Sequence, residues 1–128
     1  MSKIVEDLLY TEDHEWIKVE GNIASIGITD FAQNSLGDIV FVELPDTETN
    51  IENGSTFGVV ESIKSVSDLY TPISGKVVEK NDQVEESPEK INESAFNSWL
   101  IKVELKDNSE LDSLMDSKKY KDFCQANS

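Results

Sequence analysis

The chain has 128 residues, with 26 acidic and 11 basic side chains, a net charge of −15, and no arginine among the basic residues. Phosphate backbones are bound by cationic surfaces, and guanine is read by the bidentate fork of arginine, so this composition argues against a nucleic-acid-binding protein. A strongly acidic surface instead favours solubility and docking onto basic faces of other proteins.

The length is that of one domain with one modest core, and we therefore expect a single domain over residues 1–128. The longest apolar runs are only a few residues and no charged-then-apolar leader opens the chain, which predicts neither a membrane span nor a signal peptide. Cys124 is the one cysteine, so no intramolecular disulfide is possible, as is typical of a reducing compartment. We expect the bacterial cytoplasm, and Met1 makes a trimmed protein of the mitochondrial matrix the less favoured alternative.

The first predicted element is a β-hairpin. Trp16–Glu20 and Ile23–Ile28 are rich in β-branched and aromatic residues. Gly21 and Asn22 between them form a two-residue turn of the type that joins antiparallel strands.

A short helix is predicted next, over Asp30–Leu36. Thr29 is a suitable N-cap, because its hydroxyl can accept from a first-turn N–H, and Gly37 favours an end because glycine takes the left-handed cap conformation easily. Ile39–Leu44 is then predicted as a buried strand, which Pro45 ends because proline removes a ladder donor.

The remaining predicted strands are short and lie between turn-forming residues. The acidic, apolar-poor segment PDTETNIENG, residues 45–54, is predicted to be a loop. Further strands are predicted at Thr56–Glu61, Leu69–Ile73, Lys76–Glu79 and Trp99–Leu105.

The C-terminal part changes to a helical period. Leu111, Leu114 and Met115 recur at helical spacing, and Ser109 with Asp112 resembles a capping box, so a helical segment is predicted over about 109–124. Short strands at close spacing with few helices favour a mainly β domain. We expect a flattened barrel or sandwich of two antiparallel sheets, with short peripheral helices and a C-terminal helix.

Lys64 lies between two strand-like runs and has no apparent partner for its charge. Gly54 lies ten residues before it and Gly75 eleven after it, which predicts a hairpin over 54–75 with Lys64 at or next to the tip of a polar turn, Ser62–Ser67. A tip lysine is exposed, and its aliphatic stem can hold a cargo away from the surface. For a hairpin in general, the simpler interpretation is a solubilising loop lysine.

Other motifs for chemistry are absent from the sequence. HEWIK begins like a zinc-peptidase helix but has no second histidine four residues on, and His14 is the one histidine, so no metal ligands are predicted. Cys124 has no histidine to activate it. We therefore predict no catalytic residues and a protein that is not itself an enzyme.

The residues around Lys64 resemble a known lysine hairpin. VVESIKSVSDLYTPISG closely resembles the lipoyl-lysine hairpin of the glycine cleavage system H proteins. The resemblance continues, in the same order as in that family, from Tyr10 to Tyr120 through YTEDHEWIKVEG, IGITDFAQNSLGDIVFVELP, GSTFGVVESIKSVSDLYTPISGKVVEKN, WLIKVEL and ELDSLMDSKKY. Biotin carriers usually have methionine on both sides of the lysine, whereas Ile63 and Ser65 flank it here, which disfavours biotin. The family fold is a pair of antiparallel sheets of the biotinyl/lipoyl type, in agreement with the fold class above.

The resemblance implies a lipoyl shuttle, with lipoate attached to Lys64 by a lipoate-attaching enzyme. The arm would take an aminomethyl group from a pyridoxal-phosphate glycine decarboxylase and deliver it to a tetrahydrofolate-dependent aminomethyltransferase. An FAD-containing dihydrolipoyl dehydrogenase would then reoxidise it. The alternative is an H-like protein that relays lipoate to other enzymes, or an unmodified interaction protein.

The resemblance also implies a cleft for the loaded arm. In the family, acidic and polar groups near the N-terminal hairpin hold the amine, and the matching positions are Asp13, where some members have serine, and Glu15. Asp68, four residues after Lys64, belongs to the hairpin side of the same region. Glu61, three residues before the lysine, and Asp68 are expected to help the lipoylating enzyme select it. Plain surface charge is the alternative for each of these carboxylates.

Overall fold

The computed structural model describes residues 3–126 as two antiparallel sheets with helices around them. The strands are β1 (Leu9–Tyr10), β2 (Glu15–Glu20), β3 (Ile23–Ile28), β4 (Ile39–Glu43), β5 (Asn50–Ile51), β6 (Thr56–Ser62), β7 (Val66–Tyr70), β8 (Gly75–Lys80) and β9 (Ile101–Leu105). The α-helices are α1 (Asp30–Leu36), α2 (Asp82–Glu86), α3 (Glu89–Glu93) and α4 (Ser117–Ala126), and two 3-10 helices cover Ala95–Asn97 and Asn108–Ser113. None of the described helices is both long and apolar enough to cross a bilayer.

The predicted mainly β class with two antiparallel sheets is confirmed. One sheet has six strands in the order β1-β2-β3-β9-β8-β5, and the other has three in the order β4-β6-β7. Within the described part of the chain the sheets do not close into a barrel, so the sandwich alternative is the correct one. Alternate side chains from both sheets meet in one core, as Ile26 of β3, Val60 of β6 and Val103 of β9 illustrate.

The first hairpin and the helix after it are confirmed. Strands β2 and β3 pair along their whole length, and Gly21 in the turn has a positive φ of 62°. Helix α1 has the predicted bounds, and the Thr29 side chain accepts a hydrogen bond from the Ala32 N–H at 3.2 Å. Gly37 has the positive φ expected at the helix end, 82°, but its ψ of −156° is extended instead of left-handed helical. The chain therefore turns sharply into β4 at Gly37.

The second strand of the lysine hairpin lies earlier in the chain than predicted. It is Val66–Tyr70, so the predicted strand Leu69–Ile73 was wrong. The Thr71 hydroxyl bonds both the C=O and the N–H of Ile73, which closes a turn directly after the strand. The polar residues of β7 led to a prediction that the strand begins too late. They are tolerated because β7 is an edge strand, where side chains such as Asp68 are exposed.

The predicted C-terminal helix, about residues 109–124, is divided in two. Met115 pairs with Tyr10 through two backbone hydrogen bonds of 2.8 and 2.9 Å, so the chain is extended between the second 3-10 helix and α4. The predicted cap at Ser109 was wrong, because its N–H donates to the side chain of Asp107, which caps that 3-10 helix.

Sequence reasoning did not assign α2, α3 or the two-residue strands β1 and β5. The two helices contact the free edge of β4, where the Asn92 side chain accepts from the Ile39 N–H and Glu85 accepts from the Leu44 N–H. These contacts satisfy backbone donors at a sheet edge, which local sequence patterns do not indicate. Trp99 precedes β9, so its predicted place within a strand was wrong.

Candidate functional site

Lys64 lies exposed at the tip of the β6–β7 hairpin. The Ser62 N–H donates to the Ser65 carbonyl at 2.8 Å, and the Ser62 hydroxyl accepts from the N–H groups of Lys64 and Ser65 at 3.1 and 3.2 Å. The turn between the strands is therefore Ile63–Ser65, shorter than the predicted Ser62–Ser67. Its own hydrogen bonds fix the backbone of Lys64 and leave the side chain in solvent.

A second set of contacts fixes this tip against the end of α1. The Ile63 N–H donates to the Asp38 carbonyl at 3.0 Å. A Cβ atom placed on Gly37 would lie 3.0 Å from Cε of Lys64, so the stem of the lysine crosses directly over this glycine. The lysine thus starts next to the C-terminal end of α1.

A cleft of about 240 Å³ lies between the start of β2, helix α1 and strand β7. Its walls include Asp13, His14 and Glu15 from the β1–β2 connection and β2, Phe31 and Leu36 from α1, and Asp68 from β7. The Thr29 N–H, at the N-cap of α1, donates to the His14 carbonyl at 3.0 Å. The seven residues of α1 span about 10 Å, so this helix separates the lysine at one end from the acidic groups at the other.

Glu15 is buried at the acidic end of the cleft, with 3% of its surface exposed. One carboxylate oxygen accepts from the Thr11 hydroxyl at 3.3 Å, and the other accepts from the Tyr70 N–H at 3.1 Å, which connects β2 of one sheet to β7 of the other. Burial, assisted by the charge of Asp13, raises the pKa of Glu15 to about 8, although both hydrogen bonds oppose the change. At neutral pH this carboxyl is therefore mainly protonated.

His14 forms the wall next to Glu15 and has the left-handed φ of 65°. Its ring stacks on Phe31 with 4.3 Å between ring centroids, and its Nδ1 lies 2.8 Å from the hydroxyl of Tyr120 on α4. Burial lowers the pKa of His14. Sequence reasoning did not single out Tyr120. The available signal was its place at the end of the last block that resembles the H-protein family.

The structure brings Asp13, Glu15 and Asp68 to one cleft, as expected from the resemblance. Glu61 does not line it. It lies on β6 in register between Phe41 of β4 and Val66 of β7. Its expected role in selection by the lipoylating enzyme stays a prediction, as do the roles of the other three carboxylates. Within residues 3–126, no cluster of three or more His, Cys, Asp or Glu side chains is arranged to hold a metal ion.

Comparison with known proteins gives one consistent result. The model of the family described as Glycine cleavage H-protein matches residues 8–127. The glycine cleavage system H protein of Alkaliphilus oremlandii is 57% identical over 123 residues, which is 96% of this chain and 97% of the relative. That of Staphylococcus haemolyticus is 55% identical over 121 residues, 94% and 96% of the two chains. The crystal structure of a glycine cleavage system H protein from Mycobacterium marinum has a TM-score of 0.86 at 34% identity, and the match covers 97% of this chain and 98% of that one.

Proposed function

The chain belongs to the glycine cleavage H-protein family, and from this premise we propose that Lys64 carries its lipoyl group and that the cleft beside α1 receives the loaded arm. Members of this family are the lipoyl-bearing shuttles of glycine cleavage. One observation carries the assignment of the site: the exposed Lys64 starts at one end of α1, and the buried Glu15 lies at the other end. An arm that starts at the lysine and follows α1 ends at the carboxylates.

The residues around this path suit a lipoyl arm. Phe31, Leu36 and Ile28 give apolar walls for its hydrocarbon part, and Asp13, Glu15 and Asp68 give an acidic end for an amine. When attached, the lipoyl group supplies a strained disulfide that accepts the aminomethyl cargo on one sulfur. The short turn at Lys64 holds the attachment point without covering the amine.

Glu15 couples uptake of the cargo to release of a proton. Its pKa of about 8 leaves it mainly protonated at neutral pH when the cleft holds no cation. An ammonium group about 4 Å away favours the carboxylate by about 1 to 4 kcal/mol, which corresponds to a fall in pKa of roughly 1 to 3 units. Entry of the charged amine therefore ionises Glu15, and the resulting ion pair holds the cargo.

The cleft also keeps water from the cargo. Glu15 is almost fully buried, and the stacked rings of His14 and Phe31 form part of the wall beside it. Exclusion of water from this end slows hydrolysis of the loaded arm and strengthens the electrostatic attraction to the amine. In this proposal the protein protects and presents the cargo, and partner enzymes catalyse every chemical step.

Four enzymes act on the arm in this proposal: the lipoate-attaching enzyme, glycine decarboxylase, aminomethyltransferase and dihydrolipoyl dehydrogenase. Four large apolar side chains near the lysine support a docking surface for them, since Val40, Phe41, Ile63 and Val66 are 45–68% exposed. The net charge of −15 favours basic faces on these partners. We propose the bacterial cytoplasm as the compartment, because the two relatives described above come from bacteria.

Glycine-dependent exchange of labelled carbon dioxide with glycine decarboxylase tests this function. The lipoylated protein should support exchange, Lys64→Ala should abolish it, and Lys90→Ala, at an exposed lysine on α3, should leave it unchanged. Full exchange with Lys64→Ala would refute the assignment of the site. Absence of exchange with the lipoylated parent would favour relay of lipoate to other enzymes.

A further inference from the structure

A chain of hydrogen bonds connects α1, α4 and the wall of the cleft. The Ala32 N–H donates to the Thr29 hydroxyl at 3.2 Å, this hydroxyl lies 2.7 Å from the Tyr120 hydroxyl, and the Tyr120 hydroxyl lies 2.8 Å from Nδ1 of His14. Thr29 and Tyr120 are fully buried. The two hydroxyl groups must therefore donate their protons to acceptors of the protein, because water does not reach them.

The contacts of Thr29 set the direction of the chain. Its oxygen already accepts from the Ala32 N–H, and Tyr120 offers the one acceptor within reach of its proton among the described residues. If Tyr120 donated to Thr29 instead, the buried Thr29 proton would have no acceptor. Thr29 therefore donates to Tyr120. The Cys124 thiol also lies near the Tyr120 hydroxyl, but sulfur is a weak acceptor, so Tyr120 donates to Nδ1 of His14 at 2.8 Å. Burial also raises the pKa of Tyr120, so the phenol keeps the proton that it donates.

Acceptance at Nδ1 leaves the ring proton of a neutral His14 on Nε2. Tyr120 engages Nδ1, which leaves Nε2 as the ring nitrogen available to a ligand. His14 lines the cleft. We propose that Tyr120 is a positioning residue that holds His14 in the Nε2–H tautomer, so that the imidazole offers the lipoyl arm a hydrogen-bond donor. The inference rests on the proposed role of the cleft.

The same contacts disfavour the charged form of His14. Protonation at Nδ1 would force Tyr120 to accept there. The Tyr120 proton would then be left with the Cys124 thiol, a weak acceptor, or with the Thr29 hydroxyl, whose own proton would need another acceptor. The titratable groups around the ring are Asp13 and Glu15 on its own segment, Asp68 across the cleft, and Tyr120 with Cys124 on α4. A neutral imidazole does not compete with the amine of the cargo for these three carboxylates.

Nitrogen NMR of the unlipoylated protein tests the tautomer directly. His14 is the one histidine, so a sample without a histidine tag gives one imidazole pattern in a long-range ¹H–¹⁵N correlation spectrum. We expect a protonated-type Nε2 signal and a well-separated unprotonated Nδ1 signal. Tyr120→Phe should shift the two signals towards each other. Tyr10→Phe is the matched control, because Tyr10 is also buried and stacks on Tyr120, while its hydroxyl bonds the Val5 backbone instead of His14.

An Nδ1–H pattern or an averaged pattern in the parent would overturn the inference, even if Tyr120→Phe failed to fold. An unchanged pattern in folded Tyr120→Phe would also overturn it. The lipoylated protein tests the donor role, because solvent exchange of the Nε2 proton should slow when the arm is loaded, and an unchanged rate would refute that role. The spectra of the unlipoylated protein do not depend on lipoylation of Lys64, so failure of the inference and failure of the proposed function are distinguishable.

Discussion

Glu15 has a pKa of about 8 in the folded protein and an ordinary value of 4.5. Between these two values the native state binds more protons at this site than the unfolded state does. The contribution of Glu15 to the free energy of unfolding is therefore fully present below about pH 4.5 and is lost as the pH rises through about 8. The residue proposed to hold the cargo thus opposes folding when it is ionised in an empty cleft.

Glu15→Gln should remove this pH dependence. Its amide can donate to the Thr11 hydroxyl and accept from the Tyr70 N–H, so both contacts survive. In the parent, loss of the Glu15 contribution between pH 4.5 and 8 amounts to up to about 5 kcal/mol. The stability of Glu15→Gln relative to the parent should increase over this window in urea titrations. Glu12→Gln, at an exposed neighbour, should follow the parent, and parallel curves for all three proteins would contradict the burial argument.

Asp13, Glu15 and Asp68 could be predicted as candidate site residues from their positions in a family pattern. The structure places all three on one cleft. The burial of Glu15 could not be predicted, because it depends on a contact with Tyr70 from the other sheet, 55 residues away. The contact of His14 with Tyr120, 106 residues away, could not be predicted from the sequence for the same reason. Both contacts follow from packing of distant segments, which local patterns do not encode.

The lysine hairpin and α1 form one structural unit. The turn of the hairpin is bonded to the residue after Gly37, and the Lys64 stem crosses Gly37 itself. The φ of 82° and ψ of −156° at Gly37 are accessible almost only to glycine. Its lack of a side chain therefore serves both the turn into β4 and the path of the lysine.

Gly37→Ala should slow lipoylation, and Gly21→Ala should not. Both glycines have positive φ, so each alanine should destabilise the fold, by about 1 to 3 kcal/mol at Gly37 and about 1 kcal/mol at Gly21. Only the added methyl group at position 37 meets the lysine, since nothing lies within 4 Å of Gly21. Initial rates with a lipoate-attaching enzyme, measured well below both melting temperatures, give the comparison. Equal rates would show that the Lys64–Gly37 contact does not position the lysine.

The strands and helices differ in how well they could be predicted from the sequence. Hairpin β2–β3 and helix α1 carry local signals, a Gly-Asn turn and a threonine cap, and their bounds were predicted closely. Strand β7 and the divided C-terminal segment were mispredicted because their conformations depend on partners elsewhere, β6 for the first and Tyr10 for Met115 in the second. Local sequence determines the conformation of the hairpin and of α1, whereas pairing with distant segments determines that of β7 and of the C-terminal segment.

The two sheets together bring three distant segments of the chain to one cleft. The N-terminal hairpin supplies Glu15 and His14, the lysine hairpin supplies Asp68 and the proposed attachment point, Lys64, and α4 supplies Tyr120 behind the wall. The sandwich class followed from the number and spacing of strands, whereas the cleft follows from how the sheets are connected. The proposed cleft therefore depends on the assembled fold, although the proposed attachment point could be predicted from one short stretch of sequence.

The intact mass of the protein made in a lipoate-supplied host tests directly whether Lys64 is the attachment point. The parent and Lys90→Ala should each gain the mass of one lipoyl group, and Lys64→Ala should gain none. A second protein of known lipoylation, expressed in the same cells, confirms that the attaching enzyme is active. An increment that persists in Lys64→Ala, or a parent without any increment beside a lipoylated reference, would contradict attachment of lipoate to Lys64.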